Sequence, residues 1–68
     1  MNYQEITKYY GKTARIWHSL GVLMFDNPVR IFPEEQQGKG RRYYLRVLDG
    51  DKEYTPRVHS IGKIEEVA

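Results

Sequence analysis

Two serines each follow a histidine, as His18-Ser19 and His59-Ser60. A histidine within reach of a serine hydroxyl is the kernel of a nucleophilic dyad. On a strand, however, adjacent residues face opposite sides, so this adjacency argues against a working pair. The carboxylate runs Glu34-Glu35 and Glu65-Glu66 read as solvated acidic stretches rather than an acid–base couple. Gly38-Lys39-Gly40 lacks the eight-residue pattern of a phosphate-binding loop. Asp49-Gly50-Asp51 lacks the remaining ligands of a calcium loop and reads as a turn. The two histidines have no recognised ligand spacing, and there is no cysteine to supply a thiolate. The expectation is therefore no catalytic residue, no metal and no cofactor. A chain this short is also expected to have little room for a substrate pocket of about 300 Å³, so no small-molecule substrate is expected.

The segment that carries most chemistry is Lys39-Gly40-Arg41-Arg42-Tyr43-Tyr44-Leu45-Arg46. Tyr43, Leu45 and Val47 alternate with Arg42, Tyr44 and Arg46, the period of a half-buried strand. If Tyr43 faces the core, Arg42, Tyr44 and Arg46 form a row on the opposite face. Guanidinium groups pair with phosphates and a tyrosine ring stacks on a base, so such a row suits nucleic acid. Lys39 and Arg41 would add phosphate contacts from the preceding loop. The plainer reading is a solvated strand face on which arginine stems cover the ring. Arg15, Arg30, Arg57 and Lys63 would extend a basic stripe if the sheet curls. The acidic groups lie in loops and near the C-terminus, and a two-signed surface of that kind also suits a protein partner. Trp17, the single tryptophan, is expected at the centre of the core.

The elements that must hold these residues follow from periodicity and breakers. Residues 2–10 read as a short helix, with Asn2 as cap, Glu5 at capping-box spacing, and Tyr3, Ile6 and Tyr10 on one face. Gly11 ends it in a left-handed conformation. Residues 13–25 contain Thr13, Ile16, Trp17, Val22 and Phe25 and favour an extended reading, with Gly21 as a bulge or bend. The alternative, a second short helix ending at Gly21, would open a helix-turn-helix arrangement, but Asp26-Asn27-Pro28 follows too soon for a recognition helix. Val29 to Phe32 is a short strand, Glu34 to Gly40 a polar loop, and Arg41 to Leu48 the clearest strand. Asp49-Gly50 signals a hairpin. The return strand runs from Glu53 to Ile61, with Pro56 marking it as a sheet edge. Gly62 breaks it before a last short element, Ile64 to Val67.

The chain has 68 residues, read here as one domain over 1–68, and a net charge of +2 from 11 basic and 9 acidic residues. A chain of this size buries only about 60% of its unfolded surface, so its core is marginal and self-association is expected to help it. The longest apolar run, Val22-Leu23-Met24-Phe25, is far short of a bilayer span. The first residues lack the pattern of a signal peptide. A cytoplasmic protein with no membrane partner is expected. The fold class is α+β: a short N-terminal helix packed on a small, strongly curved antiparallel sheet or partly open barrel. In size and strand count it compares with SH3 and OB barrels, although no residue signature ties it to either. Two functions remain: a non-catalytic module that binds nucleic acid through Lys39, Arg41, Arg42, Tyr44 and Arg46, or a regulator, inhibitor or accessory subunit that binds another protein. Both allow a homo-oligomer.

Overall fold

In a computed structural model of the chain, residues 1–33 and 44–67 are described. The first element, α1, spans Tyr3–Ile6 and continues as a 3-10 turn over Thr7–Tyr9. Asn2 caps it, its side-chain oxygen accepting the Glu5 N–H at 2.9 Å, which satisfies one of the free amides of the first turn. So short a helix has no stability of its own. It is held because Ile6 is fully buried, with Tyr3 and Tyr10 packed against the core. Gly11, at φ +79°, turns the chain out of this segment as expected.

Among the described residues five strands follow: β1 Thr13–His18, β2 Val29–Pro33, β3 Leu45–Asp49, β4 Lys52–Tyr54 and β5 Ile61–Glu66. They form one antiparallel sheet in the order β4-β3-β2-β1-β5, with β4 and β5 at its edges, so the sheet is not closed. Residues 13–18 are extended, and residues 19–25 form no second helix. Instead His18 donates to the Val22 carbonyl at 2.7 Å and Met24 donates to Ile16 at 2.9 Å, which folds 18–24 into a tight hairpin around Gly21.

Alternation assigns the two faces. Ala14, Ile16, Val29, Ile31, Leu45, Val47, Ile61 and Ile64 point inward and are buried with Ile6 and Val58. The core is thus almost wholly branched aliphatic, the side chains that pack best on a pleated surface. Trp17 is not at its centre. It neighbours Ile16 and so faces the other way, half-buried, with the Lys63 ammonium 4.8 Å from its ring centroid. The pleat overrides the general tendency to bury tryptophan.

The Asp49-Gly50 signal does produce a hairpin, with Asp49 opposite Lys52 and Gly50 at φ +65°. The expected return strand from Glu53 to Ile61 is interrupted. β4 stops at Tyr54, Tyr44 and Arg57 form an isolated bridge, and a 3-10 turn at Val58–Ser60 carries the chain to the far edge. There β5 starts at Ile61 and runs through Gly62, where a bulge absorbs the irregularity opposite Trp17 and His18. A methyl group at Gly62 would lie 2.8 Å from Ser19 Cα and 2.9 Å from the His18 carbonyl oxygen. Gly62 therefore allows a close backbone approach rather than ending the strand.

Candidate binding face

The face opposite the core is built by β1, β2, β3 and β5. Arg15, Arg30 and Arg46 alternate with buried neighbours on three adjacent strands, so all three lie on this outer face and are exposed. Registration places Phe32 opposite Arg46, Arg30 opposite Leu48, and Trp17 opposite Lys63. The result is a row in which the Arg30 and Arg46 guanidinium carbons sit 5.5 Å and 5.4 Å from the centroid of Phe32. Both lie within cation–π range, an attraction of about 0.5–1 kcal/mol at exposed sites. A second cation–aromatic pair, Trp17 on β1 and Lys63 on β5, sits on the same face.

The face is not purely basic. Arg46 is ion-paired with Glu53, and Lys63 lies 3.6 Å from Glu65. These pairs are solvent-exposed and contribute little to stability. Arg15 and Arg30 make no ion pair among the described residues. Among the described residues of the sheet, Arg15, Arg30, Arg46 and Lys63 thus share the surface with Glu53 and Glu65, four cations against two carboxylates, beside two half-buried rings.

Of the residues singled out from sequence, Arg46 lies on this face and Tyr44 occupies the alternating position before it, half-buried in its bridge to Arg57. Lys39, Arg41, Arg42 and Tyr43 lie outside the described residues. The partners that the structure adds to Arg46 are Phe32 and Arg30 from β2, neither of which belongs to the Lys39–Arg46 segment. Their own signal is the alternation of Arg30, Ile31 and Phe32, but their pairing with Arg46 depends on a register that no short turn dictates.

Elsewhere, His18 and Ser19 meet despite their adjacency. The strand ends at His18, and beyond it the chain turns so that Ser19 Oγ lies 3.5 Å from His18 Nδ1. That nitrogen also accepts the Leu20 N–H at 3.2 Å, which ties the imidazole to the turn. No group of three possible metal ligands gathers among the described residues. No helix among them is long and apolar enough to cross a membrane.

Two open depressions are lined by described residues. One, of about 350 Å³, is lined by Met24, Phe25, Tyr54, Thr55 and Pro56. The other, of about 300 Å³, lies between Trp17, His18, Gly21, Gly62 and Lys63. Comparison of the chain with protein-family models, with curated proteins and with solved structures finds no match.

Proposed function

We propose that this chain is a small nucleic-acid-binding module that uses the outer face of its sheet. The single observation that carries this is the gathering of Arg15, Arg30 and Arg46 from three adjacent strands onto one face with Phe32 and Trp17. Arginines supply phosphate contacts, and aromatic or guanidinium planes supply stacking, a combination suited to single strands. Loose sequence preference follows, because every base has a face to stack. Lys39, Arg41 and Arg42 would add cations at the approach to β3. The test is fluorescence anisotropy with labelled single-stranded DNA and RNA of mixed sequence. Native protein should bind at low salt, and the triple variant Arg15→Glu, Arg30→Glu, Arg46→Glu should not, while keeping its circular dichroism spectrum. A folded triple variant that binds like the native chain would refute the reading.

A specific observation supports a second reading, binding to another protein. At the tip of the 18–24 hairpin Leu20 is 82% exposed and Val22 64% exposed. Large apolar side chains side by side on a tied-down turn suit an interaction site. This reading predicts a partner captured from native extract that survives nuclease treatment and is lost from Leu20→Ser, Val22→Ser.

A further inference from the structure

The two edges of the sheet are not equivalent. At β4 the hairpin pairs Asp49 with Lys52 and Val47 with Tyr54, so only Glu53 turns its backbone N–H and C=O outward. At β5 the outward groups are more extensive. Ile16 accepts the Met24 N–H, so its polar groups face the 22–24 segment, and its partner Ile64 must turn its own N–H and C=O away from β1. Val67 donates to Thr13, so the preceding Glu66 likewise faces outward. Among the described residues, the edge is occupied only near its start, where the Met1 nitrogen donates to the Ile61 carbonyl at 2.8 Å.

Charges on an edge strand ordinarily discourage pairing. Here their spacing permits it in one arrangement. Lys63 and Glu65 flank Ile64 on the same face of the strand. In an antiparallel pair of two copies with its two-fold axis at Ile64, Lys63 of each copy stands opposite Glu65 of the other. Glu66 then stands opposite Gly62, which carries no side chain. Moving the axis to residue 63 sets lysine against lysine, and moving it to residue 65 sets glutamate against glutamate. Like charges directly opposite destabilise a pair, and opposite charges stabilise it.

We infer that the chain forms a two-fold homodimer by antiparallel pairing of β5 with β5 of a second copy, in the register that sets Lys63 against Glu65. An interface of this kind uses the same patch on both copies, as two-fold symmetry requires. It joins two sheets into one of ten strands and brings the two outer faces side by side. The inference stands on the edge alone and does not depend on nucleic-acid binding.

The test is sedimentation equilibrium, without nucleic acid, on native protein, Lys63→Glu, Glu65→Lys and the double exchange. Native protein and the double exchange should dimerise, while each single variant should dissociate with a Kd at least about tenfold weaker. An equimolar mixture of the two single variants should form heterodimers, because every opposing pair is then complementary. Independently, the Ile64 and Glu66 amides should gain protection from hydrogen exchange as concentration rises, and the Glu53 amide should not. A native chain that stays monomeric overturns the proposal. So do single variants that dimerise like native, or a concentration-dependent protection that appears at Glu53 instead.

Discussion

The two faces of this sheet are made by the same strands, residue by residue, yet they do different work. The inner face is closed by isoleucine, valine and leucine from four strands. The outer face holds arginine, lysine and rings in pairs that remain exposed or half-buried. Ile31 and Phe32 are neighbours in the chain, and one is fully buried while the other has two guanidinium groups within cation–π distance of its ring. Stability is therefore concentrated on one side of the pleat. The other side can change with little cost to the fold, which is the condition a binding surface needs.

The sharpest way to break this comparison is to truncate both neighbours. Ile31→Ala should cost about 2–5 kcal/mol, through lost burial and the cavity left behind. In a marginal domain that is enough to unfold most of the protein. Phe32→Ala should cost less, about 1–2 kcal/mol, because the ring is only partly buried and its cation–π contacts are weak. Thermal melts of the two variants read this directly, and equal losses would remove the distinction between faces. Next in size is Gly62→Ala. Its methyl group meets main-chain atoms that cannot move aside, so an overpacking cost of about 1–3 kcal/mol is expected from chemical denaturation. It should weaken β5 without altering the charges of the outer face.

A smaller effect sharpens the comparison from the inner side. The Tyr10 hydroxyl is buried beside Tyr3, and burial first, then that neighbour, push its phenol well above the usual tyrosine range. The folded state thus disfavours tyrosinate. Its contribution is intact below the unfolded value, near 10, and is lost as pH rises from there toward the folded value, because the unfolded chain releases its proton first. The melting temperature should fall above about pH 10, and Tyr10→Phe should make that fall shallower. An unchanged pH profile in Tyr10→Phe would mean that another group sets the alkaline limit.

How much of this was legible in the sequence depends on the range of the signal. Local signals worked. Asn2 and Glu5 mark the helix start, Gly11 its end, and Asp49-Gly50 the hairpin, because each acts through its own few backbone atoms. Alternation in Leu45–Val47 separated the faces of that strand, and the same pattern is present in Arg30–Phe32. Register between distant strands was not legible. Phe32 meets Arg46 across a long connection, and Trp17 meets Lys63 in a β1–β5 register that no local turn dictates. Trp17 faces outward for a related reason: the parity set by buried Ile16 outweighs the ring's hydrophobicity. His18 and Ser19 came together because the strand rule ceases to apply where the strand does. Of the basic segment, Arg46 and Tyr44 sit where alternation puts them, whereas Lys39, Arg41 and Arg42 lie outside the described residues.

The central claim is that the positive outer face engages nucleic-acid phosphates. Its most direct measurement is the affinity of native protein for a single-stranded oligonucleotide as a function of salt. Each phosphate neutralised on a single strand contributes about −0.7 to the slope of log K against log salt, so three arginines predict a slope of about −2 or steeper. The same titration on the triple glutamate variant should leave no measurable binding. An affinity for native protein that stays constant from low to moderate salt would contradict the account.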